Sequence, residues 1–193
     1  MYKRQTFDSL RYGVRAIQGN SATDYVFRGI KVRGSDFQNC SESTAKFETT
    51  LVNEATVTEH LRDVWVTGSQ FDLNDQSLSF YIVDSAFVKM NTIRGDSLNV
   101  AGSFGSPIGV GYLCDFMVIS DNEIIESPYM GLTFSDNANR IFAQRNTIYR
   151  PGNSGIYLQG SGKKVVMGNF IVEPNQNSNA SASTGSGIYG QSL

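Results

Sequence analysis

The chain has 193 residues, a formal net charge of −2 and 40% hydrophobic residues, a length that fits one domain with its own core. A balance so close to neutral argues against a nucleic-acid partner, and no apolar run approaches the ~20 residues of a membrane span. Gly is frequent at 19, Pro scarce at 4, and Phe and Tyr together make 21 (12 + 9), a mix that suits many short strands joined by tight turns.

In chain order, Met1-Tyr2-Lys3-Arg4-Gln5 resembles the translation of a transposon-end sequencing adapter read from a GTG start. These residues are set aside as a scar, and residues 6–193 form the domain, expected to be cut at both ends. The lack of a visible signal peptide then says nothing about location. The first strand signal is Gly13-Val14-Arg15-Ala16. After it comes a phrase that returns through the chain: Asn or Ser, a variable residue, then an apolar one. It reads Ser35-Asp36-Phe37, Ser69-Gln70-Phe71, Asn91-Thr92-Ile93, Asn122-Glu123-Ile124, Asn146-Thr147-Ile148 and Asn169-Phe170-Ile171. Successive copies are 34, 22, 31, 24 and 23 residues apart, and a floor of 22–24 with occasional excess marks a solenoid with loop insertions.

A second phrase, a small residue followed by apolar, variable, apolar, interleaves with the first. It reads Thr44-Ala45-Lys46-Phe47, Ser77-Leu78-Ser79-Phe80, Ser97-Leu98-Asn99-Val100, Gly131-Leu132-Thr133-Phe134, Gly155-Ile156-Tyr157-Leu158 and Gly187-Ile188-Tyr189-Gly190. Long insertions are expected at about 48–63 and 101–115, and the Asn/Ser-rich run after Pro174 reads as an inserted loop. Within each repeat the period is two. Val32, Val66, Val88, Ile119, Ala143 and Val166 stand three before the Asn slot, and the Phe or Ile stands two after it. Both columns are expected to point inward and stack. Helical repeats fail on this periodicity.

These motifs resemble the right-handed parallel β-helix family of pectate lyases, polygalacturonases and phage tailspikes, over roughly residues 13–193. The resemblance implies an all-β, right-handed, single-stranded parallel β-helix of about six to seven rungs. Each rung pairs with the next at ~4.8 Å, so equivalent residues stack. Stacked Asn side chains then hydrogen-bond along the axis, as in cross-β structures, and Asn tolerates the left-handed backbone of a tight bend. Gly or Ser at the second slot suits another sharp corner. Asn91, Asn122, Asn146 and Asn169 are therefore read as structural.

Function is expected on the outward columns. Lys31, Trp65, Phe87, Val118, Phe142 and Val165 form one that is apolar where a solvated column should be polar. Loops, a missing N-terminal part or a neighbouring subunit would cover it. The tailspikes it resembles are parallel homotrimers. Trp65 is also a candidate to stack on a sugar. A second column, Lys46, Ser79, Asn99, Thr133, Tyr157 and Tyr189, mixes hydrogen-bonding groups with aromatic faces, as carbohydrate surfaces do. Asn99, Thr133, Tyr157, Tyr189 and Trp65 are thus the candidate substrate-binding residues. In the turn after the Asn strand, Glu126, Arg150 and Glu173 form an acid–base–acid ladder, with Asp96 in the same turn of an earlier rung. Paired carboxylates ~5–10 Å apart serve glycoside hydrolysis, and a carboxylate beside Arg serves proton abstraction from a uronate. Asp96, Glu126 and Arg150 are the catalytic candidates, against a surface salt-bridge ladder as the plain alternative.

The family's Asp-Asp pair, Gly-His-Gly and calcium-binding acids have no counterpart, so no family catalytic residue carries over. His60, the sole histidine, falls in the first insertion, and Cys40 and Cys114 lack metal spacing. No metal or cofactor is implied. The expected function is polysaccharide binding, with lyase or hydrolase activity if the charged turn is catalytic. The alternative is a non-catalytic structural or adhesive β-helix. The expected location is extracellular or on a virion.

Overall fold

The computed structural model describes residues 5–8, 10, 13–18, 28–40, 43–49, 60–72, 76–95, 106–135, 137–176 and 186–191. The described residues are all-β, and their strands gather into three sheets of seven, seven and six. All pairings are parallel. The chain visits the sheets in strict rotation, which is the topology of a parallel β-helix.

Sheet A carries the strands after the Asn slot, from Gln5–Asp8 through Phe170–Val172. Sheet B carries the second phrase, from Val14–Gln18 through Ile188–Gln191, and sheet C the strands before the slot, from Lys31–Arg33 through Lys164–Met167. The solenoid thus begins upstream of Gly13, where Gln5 pairs with Ser35 and Phe7 with Phe37.

Both inward columns stack as the alternation requires. Phe37, Phe71, Ile93, Ile124 and Ile148 are in register and fully buried. Val66, Val88, Ile119 and Ala143 are equally buried on sheet C. Aromatic pairs stack within the core: the Phe37 and Phe71 rings lie 4.9 Å apart and those of Phe47 and Phe80 5.3 Å apart. Burying each such side chain stabilises the fold by roughly 1.5–3 kcal/mol. Cys114 lies wholly inside this core, and desolvation pushes its thiol pKa up to about 12.

The slot residues form a continuous internal ladder. Each Asn amide donates to the side-chain oxygen of the next: Asn91 to Asn122, Asn122 to Asn146 and Asn146 to Asn169, all at 2.9 Å. The same oxygen accepts the backbone N–H of the rung before it, at 3.1, 3.1 and 2.9 Å. The second amide proton goes to a carbonyl at the end of sheet C: Val66, Val88, Ile119 and Ala143 respectively, at 2.9–3.0 Å. Ser69 joins through its backbone N–H, which donates to Asn91 at 3.0 Å.

Two expectations about the corners need correction. The left-handed residue of the first bend precedes the slot. Gly34, Gly68, Met90, Asp121, Arg145 and Gly168 all have φ between 51° and 64°, whereas the Asn residues do not. Asn is placed there for its hydrogen bonds. At the second corner, Gly13, Gly131, Gly155 and Gly187 do not adopt positive φ. Three of them are small because the chain crowds them. A Cβ on Gly155 would lie 2.6 Å from Ile171 Cγ2, one on Gly131 2.7 Å from Ile148 Cγ2, and one on Gly13 2.5 Å from Phe37 Cδ1.

Candidate functional site

The outward side of sheet B carries two adjacent columns. The first runs Arg15, Lys46, Ser79, Gly109, Thr133, Tyr157, Tyr189 in register. The second stands two residues further along each strand, with Glu48 beside Tyr81 and Gln159 beside Gln191. Thr133, Tyr157 and Tyr189 therefore share one face, as their spacing suggested. The Tyr157 and Tyr189 rings stack at 5.6 Å with planes 14° apart, and the Tyr157 hydroxyl donates to Gln191 at 2.7 Å. The remaining charges on this face are tied to one another: Lys46 lies 2.6 Å and Arg15 3.4 Å from the Glu48 carboxylate.

Gly109, not Asn99, stands between Ser79 and Thr133 in this column. The strand that pairs with Leu78–Phe80 and Leu132–Phe134 is Ile108–Val110, so Gly109 occupies the position expected of Asn99. The second phrase in that rung is Pro107-Ile108-Gly109-Val110, and Asn99 itself lies outside the described residues. The expected insertion at 101–115 is likewise misplaced at its far end. Ile108–Val110 belongs to sheet B, Cys114 is core, and Asp115 opens the sheet C strand Asp115–Ser120. Residues added before Pro107 delay the phrase, and no side-chain pattern announces their number.

Around Gly109 the face is hollow. A cleft of about 190 Å³ is lined by Ser79, Tyr81, Ser106, Gly109, Gly111, Thr133 and Ser135, together with Phe80 and Val110. Ser106 and Thr133 hydrogen-bond through their hydroxyls. Ser106, Ser135 and Tyr81 are additions that the sequence reading missed. Extending the alternation two residues past Ser79 and Thr133 would have found Tyr81 and Ser135.

The charged turn holds the ladder its spacing predicted. Arg150 Nη1 lies 3.0 Å from Glu126 Oε1, and its Nε 3.7 Å from Glu173 Oε2. All three have left-handed backbone, with φ of 54°, 51° and 48° for Glu126, Arg150 and Glu173. The guanidinium sits between the two carboxylates, in the gap where a glycosidic bond would have to lie. These side chains are well solvated, and such pairs contribute little. Asp96 lies outside the described residues.

Trp65 stands on the outside of sheet C, a different face from the tyrosines. Its ring stacks on Phe87 at 4.1 Å. Phe116 meets Phe87 edge-on at 6.1 Å and Phe142 at 6.2 Å, so the apolar column is an aromatic ladder. Phe116 joins it because its left-handed backbone, φ 48°, breaks the alternation. Beside the ladder, Asp115 pairs with Arg140 and Asp121 with Arg145 at 2.7 Å, and each guanidinium holds its carboxyl below the usual carboxylate range. His60 Nδ1 contacts Asp84 at 2.9 Å, and Arg62 approaches the same carboxylate at 3.5 Å. Among the described residues no group of three His, Cys, Asp or Glu is arranged to hold a metal ion. No helix of the described residues is long and apolar enough to cross a membrane.

Protein-family models, curated proteins and solved structures were each compared with the chain, and none matches.

Proposed function

We propose that the chain is a polysaccharide-binding β-helix and that the outer face of sheet B is its binding surface. The observation that carries this reading is the column of Ser79, Thr133, Tyr157 and Tyr189 beside a hydroxyl-lined cleft. Sugars present polar rims and apolar ring faces, and this column offers hydroxyl groups and flat phenol rings at successive rungs. Rungs repeat at ~4.8 Å, so a sugar chain lying along the solenoid meets the column again at each successive rung. Binding without cleavage is the reading supported best, because Glu126 and Arg150 are engaged with each other. The resemblance to pectate lyases, polygalacturonases and tailspikes supports the polysaccharide class and an extracellular or virion setting.

The test is affinity electrophoresis through gels cast with neutral and acidic polysaccharides, comparing the native protein with Tyr157→Ala. Retardation of the native protein, reduced at least tenfold in apparent affinity by the substitution, is expected. Equal mobility in every gel removes the proposal. Unsaturated uronate absorbing at about 235 nm, or new reducing ends, abolished by Glu126→Gln, would replace binding with catalysis.

A further inference from the structure

We infer that the cleft over Gly109 and Gly111 is a subsite for one uncharged pyranose ring. The inference rests on the sheet B face being the glycan surface and names the class of sugar it takes. Its basis is a gap in two side-chain columns at a single rung. In the first column Gly109 stands between Ser79 and Thr133. In the second, Gly111 follows Gly109 by two residues, and its N–H donates to the Phe80 carbonyl at 2.7 Å. Two outward positions of this rung, Gly109 in the strand Ile108–Val110 and Gly111 just past its end, therefore carry no side chain, and backbone forms the floor.

The walls fit a neutral sugar. Hydroxyls of Ser79, Ser106, Thr133 and Ser135 surround the floor, and none of the lining residues is charged. Hydroxyls both donate and accept, as sugar hydroxyls do, and they offer no opposite charge to a buried carboxylate. Two rungs before Gly109, Lys46 and Glu48 are paired with each other. Tyr81 supplies the apolar surface. Its ring leans across the floor so closely that a Cβ on Gly111 would lie 2.9 Å from Tyr81 Cδ2, and it is 37% exposed. The Tyr112 ring supports it from 6.3 Å. The volume, about 190 Å³, is below the ~300–1,000 Å³ of pockets for drug-sized ligands, which limits the cleft to a single ring.

The test uses Gly109→Thr, which continues the Ser79–Thr133 column and fills the floor. Gly109 has no positive φ, and Thr favours strands, so the backbone conformation admits it. Thr133→Val, which keeps shape and removes a hydroxyl, is the second variant. Each is checked by circular dichroism and melting. Both are then screened with the native protein against gluco-, manno- and galacto-oligosaccharides and against oligogalacturonate and alginate oligomers. Titration calorimetry follows on the best ligand. The native protein is expected to prefer a neutral oligosaccharide over the uronates at least tenfold. Gly109→Thr should lose at least tenfold in affinity, and Thr133→Val a smaller factor. A preference for uronates, or neutral binding that neither variant changes, overturns the subsite. If that binding is still lost in Tyr157→Ala, the sheet B face survives and only the cleft assignment falls. Absence of binding to every glycan removes both.

Discussion

Asn146 shows how little freedom the ladder leaves a single residue. Its amide donates to Asn169 Oδ1 and to the Ile119 carbonyl, while its own oxygen accepts from the backbone and side chain of Asn122. The residue is fully buried, so each of these groups loses its partner without gaining water if the amide is removed. Asn146→Ala is therefore expected to destabilise by ~2–4 kcal/mol, read as a lower denaturant midpoint. Asn146→Asp separates the two halves of the role. It can still accept from Asn122, yet an ionised carboxylate faces the Ile119 carbonyl and Asn169 Oδ1 with nothing to donate. It should cost at least as much as alanine near neutral pH and recover part of that stability in acid. A loss below ~1 kcal/mol in both variants would show that the ladder is incidental to folding. This role was legible because hydrogen-bonding continuity demands the same residue on successive rungs. The neighbour's left-handed backbone was not, since Met90, Asp121 and Arg145 share that conformation with Gly34, Gly68 and Gly168 while sharing no chemistry.

At the scale of a strand and its corners, the sequence pattern located each sheet by period-two alternation, and the core columns followed directly. What it missed was the length of the excursion between Asn91 and the next sheet B strand. Ser97-Leu98-Asn99-Val100 has the same apolar spacing as Pro107-Ile108-Gly109-Val110, and only pairing with Leu78–Phe80 decides between them. The cleft depends on that choice, because Gly109 opens a floor that Asn99 would have filled. The corners also separate two reasons for glycine, and paired substitutions test them. Met90 is 65% exposed at φ 55°, a strained conformation for a side-chain residue costing ~1–2 kcal/mol. Glycine relieves it and loses ~0.5–1 kcal/mol to unfolded-chain entropy, so Met90→Gly should stabilise by up to about 1.5 kcal/mol. Gly155→Ala should do the reverse. Its Cβ would meet Ile171 Cγ2 at 2.6 Å and the Gly187 carbonyl at 2.8 Å, and such overpacking costs roughly 1–3 kcal/mol. Thermal melts of the two variants should shift in opposite directions. A shift of the same sign in both would mean that the corners differ less than their φ angles imply.

Across the whole molecule the three outer surfaces divide by chemistry. The turn at the end of sheet A carries the self-paired Glu126–Arg150–Glu173 ladder, sheet B carries hydroxyls and tyrosines, and sheet C carries the aromatic ladder. The last is the costly one to leave in water. From Trp65 to Val165 it spans five rungs, about 19 Å at ~4.8 Å per rung, and aromatic side chains bury ~150–250 Å² each when covered. Stacking of Trp65 on Phe87, and the edge contacts of Phe116, remove part of that surface and leave these side chains half-exposed. We propose that copies of the chain cover the remainder in a parallel homotrimer. Copies related by an axis along the solenoid would align their ladders rung against rung, whereas a single loop would cover one or two rungs. Phe142→Asp places a charge in the middle of the stripe without touching the core, because Phe142 alternates with the buried Ile141 and Ala143. The native protein should then show the mass of three chains by multi-angle light scattering, and the variant the mass of one, with unchanged circular dichroism. Its melting temperature should become independent of concentration, since dissociation no longer accompanies unfolding. A native mass of one chain, or a variant that keeps the native mass, removes the trimer and leaves the stripe to some other cover.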